Sequence, residues 1–179
     1  MSLNRSCLAL LATLAVASVA AAAAPQADMP AERALSAAGV AGAQIAARDA
    51  KLQPAALQCI LDLPPDVFAP MFHEQLSRAL TPDELDATEA IYGGPLRDKI
   101  LRHGVAAVYL ARGLQPPERD AVFTPAESAE MDRFAMSSAA DKLYRQDVLS
   151  KPEFARIREK TTLPLFKACK DKGEAPAAP

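Results

Sequence analysis

The sequence predicts an all-α fold, on three observations. Ala, Leu, Glu, Asp, Arg and Lys dominate the chain while Val and Ile are scattered and Trp is absent, a composition that favours helix over strand. No stretch alternates apolar with polar residues for the length of a strand. The 15 prolines fall at helix-sized intervals, and proline suits a first helical turn but not an interior, because it fixes φ and lacks an N–H. On this punctuation the chain after its leader is a compact bundle of about seven helices.

The first piece, Ala31–Ala50, is Ala-rich with Gly39 and Gly42 inside it, so close backbone approach and loose packing are expected there. The second, Pro54–Leu63, turns Leu57, Ile60 and Leu61 to one face with Cys59 on the flank, and Pro64–Pro65 ends it. The third, Asp66–Leu80, is the clearest amphipathic segment: Val67, Phe68, Met71, Phe72, Leu76, Ala79 and Leu80 form a stripe, opposite His73, Glu74, Ser77 and Arg78. The fourth and sixth open on capping signals at Thr81 and Thr124. The fifth, Pro95–Arg112, repeats the stripe with Leu96, Ile100, Leu101, Gly104, Ala107, Val108 and Ala111, and Gly113 sits where helices stop. The last, Pro152–Lys172, carries Phe154, Ile157, Thr161, Leu165 and Cys169 at spacings of three and four. Pro164 predicts a kink or a break, with Thr161–Thr162 capping a fresh helix. The Pro/Ala-rich tail, Gly173–Pro179, is expected to be disordered.

A second level of order is an internal repeat. Leu80-Thr81-Pro82-Asp83-Glu84-Leu85 matches Phe123-Thr124-Pro125-Ala126-Glu127-Ser128, and the match continues at constant offset: Ile91 with Phe134, Asp98-Lys99-Ile100-Leu101 with Asp141-Lys142-Leu143-Tyr144. The Gly93-Gly94-Pro95 break falls opposite Met136-Ser137-Ser138. Each copy, near 80–113 and 123–150, reads as a helical hairpin. Thr81 or Thr124 is the N-cap, Pro82 or Pro125 fits the first helical position, and Glu84 or Glu127 completes a capping box. A lone hairpin leaves its apolar face bare, so the copies should pack on each other or on flanking helices. The Leu-Thr-Pro-x-Glu-Leu start, followed by an aromatic about seven residues on and a Gly/Pro break, resembles an uncharacterised family of small exported bacterial helical proteins, a domain of unknown function. The resemblance covers Asp66 to Gly113 well and Phe123 to Ser150 weakly, and it implies an exported helical protein without specifying an activity.

The N-terminus points to export independently. Met1–Arg5 carries one positive charge, Cys7–Ala24 carries none, and the stronger apolar residues crowd into the first two thirds of a run that closes on small residues. Pro25 is a poor first residue for the product, so cleavage is expected after Ala22 or Ala23. That leaves residues 1–23 as signal peptide and 24–172 as one helical domain in the periplasm, or secreted. A retained membrane anchor is the alternative, since the run approaches the roughly 18 residues that mark a span. Cleavage removes Cys7. Two thiols in an oxidising space then predict a Cys59–Cys169 disulfide joining the second helix to the last, with intermolecular pairing as the rival.

The inventory for catalysis is thin. The formal charge is −2 without long single-sign blocks, so nothing attracts nucleic acid. His73-Glu74-Gln75-Leu76-Ser77 opens like a zinc-protease helix but lacks the second histidine four residues on. His73 and His103 read as solvent-facing. Ser137-Ser138 with Lys142 has the outline of a serine–lysine pair, yet the lysine follows Ser138 by four residues where three are needed, and the serines serve better as a cap. No Gly-x-Ser-x-Gly, phosphate-cradling glycine loop or Cys-x-x-Cys occurs. Asp83, Glu84, Asp86 and Glu89 form an acidic cluster, but the first turn of a helix favours acids through its dipole. The prediction is therefore a non-enzymatic periplasmic protein, without cofactor or metal, that meets the membrane only during export. It acts by binding a partner protein, as an inhibitor, immunity protein or chaperone does. The first alternative is a carrier of lipid or another apolar ligand between its helices, from the Ala/Gly-rich first segment and the Val67–Leu80 stripe. The second is a cell-wall hydrolase using Asp86 and Glu89.

Overall fold

The computed structural model describes residues 29–174; the segment 1–23 read above as a signal peptide, Cys7 with it, and the end of the tail, 175–179, lie outside the described residues. The fold is all-α, eight helices packed together with no strand among the described residues: α1 (Pro30–Asp49), α2 (Pro54–Leu61), α3 (Ala69–Ala79), α4 (Pro82–Gly93), α5 (Arg97–Leu110), α6 (Pro125–Ala135), α7 (Ser138–Ala140) and α8 (Ala155–Glu174). The short α7 continues as a π-turn, Asp141–Arg145, and two 3-10 turns, Val148–Ser150 and Pro152–Phe154, lead into α8. The count exceeds the seven expected because the second copy of the repeat breaks into short pieces after Met136.

The spine is α1, which packs against α2, α3, α4 and α5. Its small residues are the reason: Ala31, Ala37, Val40, Ala41, Ile45 and Ala47 are all buried, and Gly39 brings its backbone onto the rings of Phe68 and Phe72. The loose packing expected of an Ala/Gly-rich segment is thus corrected, since a thin helix lets four neighbours close in. The N-terminus of α1 has no side-chain cap of its own at Met29. Glu89 of α4 serves instead, its Oε2 accepting the Ala31 N–H at 3.2 Å, a carboxylate placed where the helix dipole favours one.

Helix α3 starts at Ala69, three residues later than the predicted segment, because Pro70 belongs in a first turn and holds Asp66–Phe68 outside the helix as a turn. The orphan N–H of Phe68 donates to the buried Ser36 Oγ of α1 at 2.9 Å. Pro164 does not break α8 into two helices; α8 runs through it. Leu163 and Pro164 face solvent, where water can satisfy the carbonyl that proline leaves unpaired, and Ile157 and Cys169 are buried on either side. Thr162 donates its hydroxyl to the Arg158 carbonyl at 2.9 Å rather than capping a new helix. The predicted tail is corrected at its start too. Gly173 and Glu174 belong to α8, and Gly173 lies so close to α2 that an added Cβ would sit 3.0 Å from Ala56 Cβ. The Cys59–Cys169 disulfide ties the same two helices, with Cα atoms 5.4 Å apart.

Candidate functional site: the cavity between the two hairpins

Both capping boxes are closed. Thr81 Oγ1 accepts the Glu84 N–H while Glu84 accepts the Thr81 N–H at 2.8 Å, and Thr124 and Glu127 repeat the exchange, the return bond being 2.7 Å. Each glutamate also receives a lysine from the other copy. Lys142 Nζ lies 2.5 Å from Glu84 Oε2, and Lys99 Nζ lies 2.6 Å from Glu127 Oε2. Lys99 and Lys142 occupy equivalent repeat positions, as do the two glutamates, so one ion pair is the other with the copies exchanged. That reciprocity is the signature of an isologous contact, here within one chain. The Lys142 ammonium, ahead of the Thr81 N–H, holds the Glu84 carboxyl down at about 2, and Lys99 lowers Glu127 in the same way.

A cavity of about 360 Å³ lies where the hairpins meet. Ile91 and Tyr92 of α4 face Phe134 and Ala135 of α6 across it, again equivalent pairs of the repeat. Ile100, His103, Gly104 and Ala107 of α5 form a second wall, and Ala34, Leu35 and Ala38 of α1 close the back. Gly104 helps to make the volume, because nothing lies within 4 Å of where its Cβ would be. The lining is almost wholly apolar and includes no Asp, Glu, Lys or Arg.

Three side chains bring polarity to it. The Tyr92 and Tyr144 hydroxyls are hydrogen-bonded to each other, joining α4 to the π-turn. Tyr92 is buried and Tyr144 is 55% exposed, so the pair runs from the interior to the mouth. Burial pushes the Tyr92 phenol well above its ordinary range, with Tyr144 and Glu89 adding to the effect, and burial raises Tyr144 as well. Both hydroxyls therefore keep their protons across the neutral range. His103 completes the set: its Nδ1 lies 3.0 Å from Asp120 Oδ1 and its ring stands edge-to-face on Phe123. The hydrogen bond from His103, aided by the Ala121 N–H, lowers the Asp120 carboxyl.

The residues singled out in the sequence fall mostly elsewhere. Asp83 and Asp86 are exposed, Glu84 is taken by Thr81 and Lys142, and Glu89 caps α1, so the acidic cluster does not converge. Ser137 caps α7 by accepting the Ala140 N–H at 3.2 Å, and Lys142 is committed to Glu84. The histidines are exposed, as expected, and each also has a partner. Each is half exposed but holds a carboxylate: His73 Nδ1 lies 2.9 Å from Oε1 of the buried Glu32, and His103 lines the cavity. Among the described residues no three metal-ligating side chains converge.

Tyr92, Tyr144, Gly104 and Asp120 were not among the candidate functional residues read from the sequence. The signal that marks the tyrosines is a mismatch in the repeat, since Tyr92 aligns with Ala135 and Tyr144 with Leu101. Each hydroxyl stands where the other copy is aliphatic. No family model, no curated protein and no solved structure matches this chain.

Proposed function

We propose that this is a non-enzymatic, exported binding protein whose ligand is a small apolar molecule held between the two hairpins. The observation that carries the reading is the cavity itself, about 360 Å³, apolar, and furnished with a few polar side chains, which is the usual composition of a small-molecule site. Export to the periplasm is supported by the signal-like N-terminus and by the Cys59–Cys169 bridge, a bond suited to an oxidising compartment. The absence of catalysis is supported by the engagement of Glu84, Glu89, Glu127 and Lys142 in caps and ion pairs. The hairpin repeat supplies the architecture of the site.

Mature protein purified under native conditions should release a small apolar molecule in mass spectrometry, or take up hexylbenzene when supplied with it. Gly104→Leu, which fills the cavity, should do neither. Protein that emerges empty under several extraction conditions and does not take up hexylbenzene overturns the reading. Partner-protein binding is the second reading, favoured by Val122 and Met136, large apolar residues that are 74% and 84% exposed. A pull-down from periplasmic extract that recovers no specific partner would count against it.

A further inference from the structure

The hydrogen-bonding inventory of the cavity narrows the ligand further. Two phenol protons serve the Tyr92–Tyr144 pair, and their mutual bond uses one. Whichever hydroxyl donates, one O–H remains uncommitted within the pair. His103 contributes the complementary function. Asp120 is a carboxylate and only accepts, so Nδ1 of His103 carries a proton in their 3.0 Å bond, and in the singly protonated ring Nε2 is an acceptor. With that form of the ring, the side chains at the cavity carry one donor and one acceptor to offer, in a lining without Asp, Glu, Lys or Arg.

Resting on the cavity as the binding site, we infer that its ligand is a neutral apolar molecule bearing a hydroxyl group, an alcohol or a phenol, which accepts from the tyrosine pair and donates to His103. The chemistry excludes the nearby alternatives. A carboxylate or phosphate head would enter a lining that includes no lysine or arginine, and a charge removed from water without a partner is strongly disfavoured. An ether or ester head would satisfy the tyrosine donor and leave His103 Nε2 unmatched. A plain hydrocarbon would strand both groups.

Four probes of one shape separate these cases: hexylbenzene, para-hexylphenol, para-hexylanisole and para-hexylbenzoate, titrated calorimetrically into the mature protein at neutral pH. The expected order has the phenol about 30-fold tighter than hexylbenzene, the value of two net hydrogen bonds. The anisole should lie between them, and the benzoate should bind most weakly. Either single Tyr→Phe change leaves one O–H in place, so the decisive variant is the double one, Y92F/Y144F. Measured against hexylbenzene on the same variant, it should abolish the advantage of the anisole and reduce that of the phenol to the share that His103 supplies, with circular dichroism verifying the fold. The series on the unaltered protein stands by itself if that variant does not fold. Equal affinities for phenol and hexylbenzene, or for phenol and anisole, overturn the hydroxyl assignment and leave the cavity reading intact, as does a benzoate that binds most tightly. Failure of all four to bind overturns both.

Discussion

Reducing the Cys59–Cys169 bridge should destabilise the protein by about 5 kcal/mol, and the structure shows why the loss should be mainly one of chain constraint. The bridge spans 110 residues. For a loop of that length the chain-entropy relation gives about 16 cal/mol/K, or about 5 kcal/mol at room temperature. The local packing hardly changes on reduction. Cys169 is buried among Ala47, Ile60, Leu57 and Phe166, and two thiols fill the space of the bridge. The C59A/C169A variant should therefore match the reduced protein to within about 1–2 kcal/mol, the extra being the volume of the deleted sulfurs. The assay is thermal unfolding of mature protein by circular dichroism, with and without reductant. At about 2–4 °C per kcal/mol for a chain of this size, the midpoint should fall by roughly 10–20 °C. A fall of under about 3 °C on complete reduction, verified by thiol titration, would refute the reasoning, because the unfolded chain would then gain no freedom from the open loop.

The other predictions are smaller and local. Thr81→Ala and Thr124→Ala each remove an N-cap and should cost about 0.5–2 kcal/mol in chemical denaturation. Glu84, held at about 2 in the fold against an ordinary 4.5, stabilises fully above about pH 4.5 and progressively less as the pH falls toward 2; the midpoint of the native protein should drop through that window, and Glu84→Gln should flatten the drop. Gln75 is completely buried, and neither its Nε2 nor its Oε1 has a partner among the described residues, so Gln75→Met should raise stability by about 1–3 kcal/mol. Gly104→Ala meets nothing within 4 Å and should stabilise α5 by about 0.5–1 kcal/mol.

What was legible in the sequence is what local chemistry decides. Proline at a first turn, threonine three residues before glutamate, and glycine after a last turn act within a few residues; thus α4 and α6 begin at Pro82 and Pro125, and Gly113 takes its left-handed φ of 68° just beyond α5. Pro164 leaves α8 unbroken because its effect depends on distant partners: α8 holds together across it through Ile157, Cys169 and the disulfide to α2. Glu89 misled because its partner is distant: the N–H that it accepts, at Ala31, lies 58 residues earlier in the chain. The cavity was illegible because Ala34, Tyr92, Gly104 and Phe134 come from four helices. Only the repeat carried a trace of it, in the two positions where one copy has tyrosine and the other does not.

That trace bears on why a cavity exists at all. Two identical hairpins packed about a local two-fold relation would present equal walls, and the reciprocal ion pairs Lys99–Glu127 and Lys142–Glu84 hold this pair in that relation. The walls are unequal. In the first copy the second helix, α5, runs to Leu110, and its Gly104 and Ala107 line the cavity; in the second copy the corresponding residues, Asp147 and Ser150, lie past the end of the π-turn, Asp147 with a φ of 45°. The second copy thus cannot supply the wall that α5 supplies, and α1, thin and alanine-rich, closes the back without filling the space. The same truncation places Tyr144 on the π-turn, within hydrogen-bonding reach of Tyr92, where a full-length copy of α5 would carry an aliphatic residue on a regular helix. The reciprocal caps and ion pairs are the conserved half of the duplication and account for the assembly; the divergent half, a shortened helix and two tyrosines, accounts for a volume with a hydrogen-bonding rim.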